Sequence, residues 1–504
     1  MKFNIKRLGY AAMLGAIVAT GSGCKKYLEE ENRSAIEQDK FYANEAQAKS
    51  GVAGVYEKMK KLLNGDGYGE SPFISLELPV GHATTLGQSF FNLQLIKHTA
   101  GSELTSFKTV WVEFYNGVAN ANLALTKLTA TPMDENAKKA LIGEVSFLRA
   151  FYYFHLVRLY GDIPLITARV DANSPDLYPS RATKEQVYDL IVKDLQTAEA
   201  SGMAQTDRTG RVSLAAVKTL LANVYLTMAG QPLNKGVSHY QLAANKAKEV
   251  IDMGAYKLFS DYLFLHDRAH KNQDEFILQV QYQSGIYTNS LAQYIIPEKS
   301  GISKFGDEYG ALNPLPAFAA TYETGDKRTQ ERQFFFRSAK LINSATVVNF
   351  GYPALFKYWY EEAGGANGDL QSDQNLTLMR LPETFLIYAE AKNEATGADD
   401  LAFQVVDSIR HRALLPSLNR GLTKDQFREA VWKERYHELC FENKAYFDLQ
   451  RTRKAYDLKN NRFVDLVGYT NENGATFTEK YLLWPIPQTE LDANPKLKPN
   501  NKGW

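Results

Sequence analysis

The chain has 504 residues, of which 44% are hydrophobic and 23% are charged, so it contains enough apolar material for a large core. Its formal net charge of +1 argues against nucleic acid as a partner, because phosphate binding requires a concentrated basic face. Aromatic residues are abundant, with 27 Phe, 29 Tyr and 5 Trp. The excess of Tyr over Phe favours half-exposed rings that stack on flat apolar surfaces while bonding to polar groups.

The amino terminus has the pattern of an exported lipoprotein. Three basic residues precede the apolar run 8–20, which is too short to span a bilayer, and small residues lead directly into Cys24. We therefore predict a signal peptide over residues 1–23, lipidation of Cys24 and a tether over residues 24–40. The alternative is an ordinary signal peptide cleaved nearby, with Cys24 incidental. Cys440 is then a single thiol, so no disulfide framework is expected.

Residues 41–270 read as a series of helices joined by short turns. The central segment, 141–165, has apolar residues at helical spacing and aromatic residues on a second face, and it ends at Gly161 and Pro164. A helix that is apolar on two faces must be covered from both sides. Further helices with capping signals follow, and together they predict an α-solenoid of tetratricopeptide-like hairpins.

One segment of this half, residues 71–108, lacks helical periodicity. Rings and polar side chains accumulate in it, including Phe90 and Phe91. A long irregular segment in a compact protein usually carries function or is disordered, and the ring content argues against disorder. We predict that it is a ligand loop inserted in the helical region.

Residues 271–504 have a different sequence pattern from the helical residues 41–270. An alternating pattern over 276–282 predicts a strand, and residues 282–361 are rich in Pro, Gly and aromatic residues, so we expect a loop-rich portion there. The aromatic cluster at 351–360 includes Trp359, whose neighbours form neither a helical nor a strand-like apolar face, which leaves exposure and burial equally open. Regular helices return over residues 382–455.

Few residues carry a pattern typical of catalysis. Glu434, Glu438 and Glu442 are spaced to share one helix face, with His437 beside them, but the zincin pattern of metal ligands is missing. Arginines nearby favour a structural ion-pair stripe, for which the sequence offers Arg435, Arg451 and Arg453. The chain also lacks a nucleophile elbow, a P-loop, a dinucleotide fingerprint and a CxxC pair. We expect no catalytic residue, no metal site and no cofactor.

Six sequence blocks follow one another over nearly all of the chain after the signal. They are FYANEAQAKSGVAGVY at 41–56, LRAFYYFHLVRLYGDIPLI at 148–166, GRVSLAAVKTLLANVYL at 210–226, RLPETFLIYAEAKNE at 380–394, ERYHELCFENKAYFDLQRTRK at 434–454 and PIPQTELDANPKLKPN at 485–500. In these blocks and their order the chain resembles the SusD/RagB family of outer-membrane lipoproteins. The resemblance implies a mainly α fold, with tetratricopeptide-like helix pairs on one side and a loop-rich region on the other. It further implies a non-catalytic protein, held at the outer membrane by its lipid and facing the exterior, that binds oligosaccharide and caps a SusC-like TonB-dependent transporter.

The leading hypothesis is therefore a glycan-capture lipoprotein whose site is formed by loop rings. Sugars present apolar C–H faces and hydroxyl edges, which suit aromatic rings beside polar side chains. The candidate stacking residues are Phe90, Phe91, Tyr287, Tyr294, Trp359 and Tyr360. One alternative is a peptide-capture or protein-interaction scaffold built on the helical repeats, which predicts that these rings are buried. Another is a surface glycoside hydrolase, which needs two carboxylates roughly 5–9.5 Å apart across a cleft.

Overall fold

A computed structural model of the chain describes residues 41–63, 70–86, 92–170, 174, 177–359 and 371–504. The predicted signal peptide, Cys24 and tether lie outside the described residues, as do Phe90, Phe91 and Tyr360. Across the described ranges, no helix is both long enough and apolar enough to cross a bilayer.

Helices dominate the structure, as the sequence predicts. In chain order they are α1 Glu45–Tyr56, α2 Pro72–Glu77, α3 Leu93–Ile96, α4 Thr105–Leu128, α5 Glu135–Tyr160, α6 Lys184–Glu199, α7 Leu214–Ala229, α8 Val237–Asp252, α9 Leu291–Ile295, α10 Pro316–Ala319, α11 Leu381–Thr396, α12 Asp400–Arg412, α13 Lys424–Glu438, α14 Ala445–Thr452 and α15 Gln488–Ala493. Short 3₁₀ segments include Glu57–Leu62, Tyr262–Leu265 and Glu479–Leu482.

The strands are short and pair in antiparallel ladders. They are β1 Ala83–Thr84, β2 Ile163–Pro164, β3 Arg181–Ala182, β4 Phe276–Val280, β5 Asn313–Pro314, β6 Phe335–Lys340, β7 Val347–Leu355, β8 Leu376–Arg380, β9 Lys454–Asp457 and β10 Arg462–Asp465. Within the described chain, β1 pairs with β5, β2 with β3, β4 with β8, β6 with β7 and β9 with β10. The predicted strand is confirmed as β4, although all five of its side chains are buried rather than alternating.

The helices of the first half stack as antiparallel neighbours. The central helix α5 packs between α4 and α6, α7 packs against α8, and α11 crosses from the second half to pack on α8. Among the capping signals of the sequence, those at Thr183 and Thr423 form capping boxes, with each threonine side chain accepting a hydrogen bond from the backbone three residues later. The mainly α, tetratricopeptide-like architecture is thus confirmed.

The segment 71–108 is more regular than we expected. It contains the short helices α2 and α3, and α4 begins at Thr105. Ser71 caps α2 by accepting a hydrogen bond from the backbone N–H of Ile74, and Pro72 occupies the first turn, where its missing N–H costs nothing. All six residues of α2 are buried, so this part of the segment belongs to the core.

The helical side depends on close contact between α4 and α5. Gly117 on α4 faces the ring of Tyr152 on α5, and a Cβ atom at this position would lie 2.6 Å from the tyrosine Cε2 atom. The ring has little room to move, because the Tyr152 hydroxyl donates a 2.5 Å hydrogen bond to the backbone oxygen of Val55. Glycine is therefore required here by packing rather than by backbone conformation.

We predict that Gly117→Ala lowers the free energy of unfolding by about 1–3 kcal/mol, since overpacking outweighs the gain in helix propensity. The matched control is Gly54→Ala on α1, where no atom lies within 4 Å of the added Cβ. This control should be neutral or stabilising by up to about 1 kcal/mol. Chemical denaturation of both variants measures the difference, and equal stabilities would contradict the packing argument.

Candidate ligand-binding site

Tyr287 closes a tight turn in the loop-rich portion. The backbone N–H and oxygen of Gln283 both bond to Tyr287, at 2.8 Å and 2.9 Å, and Gly285 at φ 75° makes the turn possible. The turn presents two apolar side chains, with Ile286 75% exposed and Tyr287 37% exposed. Tyr287 is therefore part-exposed, as a stacking ring requires, and its role in binding stays a prediction.

The turn is held by the segment that leads into β8. Asn289 exchanges two backbone hydrogen bonds with Ser372, at 2.8 Å and 2.9 Å. The Gln371 amide donates to the Ser290 hydroxyl at 2.8 Å and accepts from the Thr288 hydroxyl at 3.2 Å. These bonds fix the backbone on which Tyr287 stands, so its ring is presented by a rigid base rather than by a loose loop.

A cation and a second ring surround Tyr287. The Lys60 Nζ atom lies 3.7 Å from the centroid of the Tyr287 ring, and the Tyr282 ring lies nearly parallel to it, with 5.7 Å between centroids. The Tyr282 hydroxyl is buried, and no hydrogen-bond partner for it exists among the described residues. Burial raises the pKa of Tyr282, so the hydroxyl remains a donor at neutral pH.

Tyr294 was expected to be a stacking residue exposed to ligand, and this expectation is wrong. Its ring is only 4% exposed, and its hydroxyl donates to the backbone oxygen of Leu63 at 3.2 Å. Burial raises its pKa. The residue lies on the short helix α9, whose five residues are all buried, so Tyr294 joins the loop-rich portion to the end of the first 3₁₀ segment.

Trp359, for which the sequence leaves exposure and burial equally open, is buried at 1% exposure, so it is not available as a stacking residue. It packs against Phe336 at 5.0 Å and Phe356 at 5.6 Å between ring centroids. Bonds of the two preceding residues hold this segment against the core. Lys357 bonds to Glu442 at 2.7 Å, and the Tyr358 hydroxyl donates to the backbone oxygen of Phe441 at 3.0 Å. The described part of this cluster, residues 351–359, is therefore largely strand β7 and core.

Phe90, Phe91 and Tyr360 lie outside the described residues and stay predictions. Three described residues next to segments outside the described ranges bond to the loop-rich portion. Leu63 accepts from Tyr294, the Leu86 N–H donates to the backbone of Gly310 at 2.9 Å, and Gln371 bonds to Thr288. The described candidate site is thus Tyr287 with Lys60, Tyr282 and Ile286.

Sequence reasoning missed the companions of Tyr287. Ile286 could have been found from the Ser-Gly turn signal just before it, because such a turn exposes the side chains that follow. Lys60 and Gln371 carry no such signal, since they reach the site only through the packing of distant segments. Tyr282 sits at the end of a strand pattern that suggests ordinary core.

The three glutamates considered for chemistry instead form the centre of a buried ion-pair network. Glu434 pairs with Arg328 at 2.6 Å and Arg410 at 3.4 Å. Glu438 pairs with Arg380 and Arg412, both at 2.6 Å, and also with Arg328 at 3.2 Å. A structural role is therefore confirmed. The expected partners are wrong, however, because Arg435, Arg451 and Arg453 form none of these bonds.

Glu442 lies beyond the end of α13, so the three carboxylates do not all share one helix face. It accepts 2.8 Å hydrogen bonds from Nε and Nη2 of Arg380, and it pairs with Lys357 at 2.7 Å. His437 is also structural, since it bonds to the Thr321 hydroxyl at 2.9 Å and stacks on Tyr322. Burial lowers the pKa of His437 well below its usual range, so it is neutral. Within the described ranges, no group of three or more His, Cys, Asp or Glu side chains has the geometry to hold a metal ion.

Comparisons with known proteins identify the family. The model of the family described as "SusD family" matches residues 267–504, and the model described as "Starch-binding associating with outer membrane" matches residues 26–226. A crystal structure of a SusD superfamily protein from Parabacteroides distasonis is 36% identical with a TM-score of 0.87, covering 91% of this chain and 99% of that one. The chain belongs to the SusD superfamily.

Other SusD-like proteins align over almost the whole length. SusD-like protein P2 from Formosa agariphila is 26% identical over 97% of this chain and 98% of its own. A structure named as a laminarin-binding SusD-like protein is 26% identical, with a TM-score of 0.76, and covers 92% of this chain and 100% of that one. The similarity therefore includes both the helical side and the loop-rich side of the SusD-like fold.

The buried network generates a stability prediction for this SusD-like chain. Glu438→Gln keeps the side-chain shape but leaves three buried guanidinium groups short of one negative charge, so the free energy of unfolding should fall by about 3–5 kcal/mol. The control is Glu45→Gln, which removes an exposed pair with Lys49 and should cost less than about 1 kcal/mol. Denaturant unfolding measures both, and a loss for Glu438→Gln no larger than the control would contradict the network's role.

The same network predicts acid sensitivity. Burial alone would raise the pKa of Glu438, but Arg412, Arg380 and Arg328 outweigh it and lower that pKa to about 2. The pKa of Glu442 is likewise lowered to about 2, because Arg380 and Lys357 outweigh burial. The pKa of a glutamate in the unfolded chain is about 4.3, so both carboxylates stabilise the fold above that pH.

This stabilisation should be lost progressively as pH falls from about 4.3 towards about 2. Burial raises the pKa of Glu434, which acts in the opposite direction and offsets part of the loss. Measuring the free energy of unfolding from about pH 6 down to about pH 2.5 checks the prediction. Glu442→Gln serves as the comparison and should show a shallower acid dependence, whereas a flat profile for the unsubstituted protein would refute it.

Proposed function

We propose that this SusD-like protein captures oligosaccharide at the Tyr287 face without altering it. The observation that carries the proposal is the exposed Tyr287 ring on a rigid turn, with an apolar neighbour in Ile286, the ammonium group of Lys60 beside it and the buried Tyr282 ring stacked on it. A sugar ring offers an apolar face for the tyrosine and hydroxyls for the ammonium donor. The laminarin-binding name of one relative supports a glycan as the ligand class.

Lys60 limits access to the ring and defines how binding would occur. Its Nζ atom covers the Tyr287 ring at 3.7 Å, and a cation–π contact at a part-exposed site is worth about 0.5–1 kcal/mol. That cost is small, and the lysine stem is flexible. A ligand displaces the ammonium from the ring and then accepts a hydrogen bond from it, which offsets the loss.

The proposal also includes attachment and delivery. Cys24, following a basic segment and an apolar run, would be acylated and hold the protein at the outer membrane, facing the exterior. The family description "associating with outer membrane" supports this location. The broad helical surface would then dock on a SusC-like TonB-dependent transporter that receives the oligosaccharide.

A non-enzymatic role is part of the proposal. Glu434, Glu438 and Glu442 are each held by buried arginine or lysine groups, so none of them is available to protonate a glycosidic oxygen. Glycoside hydrolysis requires one carboxyl with a raised pKa and a second carboxylate across a cleft. The charge compensation of these residues supports binding rather than hydrolysis.

Burial of Tyr294 and Trp359 favours a second candidate, an interaction scaffold built on the helical repeats that captures peptides or proteins. That hypothesis predicts buried rings at these positions. It does not account for the exposed Tyr287 and Ile286, which share one fixed turn. Glycan capture therefore remains the better supported function.

We predict that Tyr287→Ala weakens binding of a neutral oligosaccharide by at least about tenfold, equivalent to ~1.4 kcal/mol, because the stacking surface is removed. The melting temperature should change little, since the ring is exposed. Tyr178→Ala, at another exposed tyrosine, is the control and should bind normally. Calorimetry against a panel of plant, host and microbial glycans measures the affinity.

Co-purification with the transporter separates the two candidate functions. The Tyr287→Ala variant should still retain its transporter while losing glycan. If no glycan of the panel binds the unsubstituted protein, yet the transporter is retained, the protein acts as a structural scaffold and the capture proposal is refuted.

A further inference from the structure

A second pocket lies on the helical side, away from the Tyr287 turn. It has a volume of about 220 Å³ and is enclosed by α5, α6, α7, α14 and the segment 479–502. Tyr188, Phe447 and Leu483 supply apolar walls, and the charged side chains that line it are predominantly basic. The cations are Arg158, Lys184, Arg451, Arg453, Lys480 and Lys502, whereas Glu479 is the single carboxylate among the lining residues.

Half of these cations are already neutralised by nearby carboxylates. Lys184 pairs with Asp162 at 2.9 Å, Lys502 pairs with Glu479, and Arg451 pairs with both Glu390 and Asp448. These pairs account for the acidic groups around the rim. They contribute little net field inside the pocket, because opposite charges in contact cancel at longer range.

The remaining three cations have no such partner. Among the described residues, no carboxylate lies within 4.0 Å of Arg158, Arg453 or Lys480. Arg453 donates from Nη1 to the backbone oxygen of Gln450 at 2.8 Å, and Lys480 donates to the backbone oxygen of Ala100 at 3.2 Å. Backbone carbonyls satisfy hydrogen-bond donors but carry no full negative charge. Glu479 acts on Arg453 only from beyond contact distance, so no described carboxylate contacts any of the three cations.

Arg158 is held in a geometry suited to recognising a planar or tetrahedral oxyanion. Its guanidinium lies between the rings of Phe154 at 3.7 Å and Phe447 at 3.5 Å, measured to the ring centroids. The Nε atom donates to the Phe154 backbone oxygen at 2.9 Å, which leaves both terminal nitrogens without an acceptor in the part of the chain that the structure describes. Stacking on both faces fixes the plane, and the free edge is the part of arginine that binds oxyanions in bidentate fashion.

The nearest acidic groups on the inner side of Arg158 are already engaged. Glu383 pairs with Lys444 at 2.7 Å, and Asp448 accepts from Nε of Arg435 and from Nε of Arg451, both at 2.7 Å. Arg435 adds positive charge there, and its buried Nη1 atom has no hydrogen-bond partner among the described residues. Glu383 and Asp448 therefore favour the charged form of Arg158 only from a distance, and neither forms an ion pair with it.

The pKa shifts of the three cations agree with this arrangement. Burial lowers the pKa of Arg158 to about 9, at which it is still charged at neutral pH. Burial likewise lowers the pKa of Arg453 and of Lys480. Cations whose pKa is lowered by burial are stabilised when an anion enters their surroundings.

We propose that this pocket is an oxyanion-binding site, in which Arg158, Arg453 and Lys480 hold a sulfate, phosphate or carboxylate group. The anion would bond to the free edge of Arg158 and be further neutralised by the other two cations. Its source is either a free oxyanion or a charged substituent of a glycan. The site shares no residue with the Tyr287 face, so it goes beyond the proposed glycan capture.

Titration of the purified protein with sodium sulfate and with sodium phosphate, against sodium chloride at equal ionic strength, tests the proposal. We expect saturable binding by calorimetry and a melting temperature that rises with oxyanion concentration. Arg453→Gln combined with Lys480→Gln should weaken binding at least about tenfold, since two charge-assisted contacts are lost. Lys454→Gln is the matched control, because Lys454 pairs with Asp465 at 2.6 Å and does not line the pocket.

Arg158→Met removes the central guanidinium and should abolish binding. If that variant fails to fold, the Arg453 and Lys480 variants still decide the matter, because both residues are only partly buried. Absence of saturable binding, or equal affinity in the double variant and the control, would overturn the proposal.

Two further arms distinguish the sources of the anion. A sulfated or carboxylated oligosaccharide that loses affinity in the double variant, while a neutral oligosaccharide does not, identifies a charged glycan as the source. Sulfate binding without any effect of the double substitution on charged glycans identifies a free oxyanion. The glycan arm rests on the proposed function, whereas the sulfate titration does not, so failure of one is distinguishable from failure of the other.

Discussion

Charge compensation around Glu438 is the constraint on which the second half of the structure depends. This carboxylate is the last residue of α13, and it accepts from Arg380 at the end of β8, from Arg412 at the end of α12 and from Arg328. Arg380 also reaches Glu275, one residue before β4. Buried charges are tolerated only when each is paired, so these element ends must converge at one point.

That convergence extends to the candidate ligand face. β8 ends at Arg380, and the residues just before β8 form the ladder of bonds that holds the Tyr287 turn. A shift of β8 along its axis would break the ion pairs before it moved the ring. The backbone that carries the exposed tyrosine is therefore held in place through a buried electrostatic network. Ligand binding at this face would then cost little conformational entropy of the protein.

Aromatic residues serve the fold more than the surface. Hydroxyls of buried or partly buried tyrosines connect helices to the backbone of other segments, as when Tyr160 donates to Phe107 at 2.5 Å, Tyr153 to Ile166 at 2.8 Å and Tyr115 to Pro164 at 2.8 Å. The excess of Tyr over Phe suggested half-exposed binding rings. In the structure these internal bonds explain a large part of the excess of Tyr over Phe. A tyrosine fills core volume and at the same time satisfies a backbone carbonyl.

The sequence by itself determined the helices, their caps and the faces they bury, because these depend on residues three or four apart in the chain. Thr183, Thr423 and the two-sided helix α5 are examples. Tertiary structure alone decided which rings stay exposed and which charges meet. Trp359 is buried through contacts of Lys357 and Tyr358 with residues about eighty positions away, and Arg158 shares a pocket with Arg453 and Lys480 about three hundred positions away. Such pairings follow from packing and long-range charge compensation, for which local periodicity carries no signal.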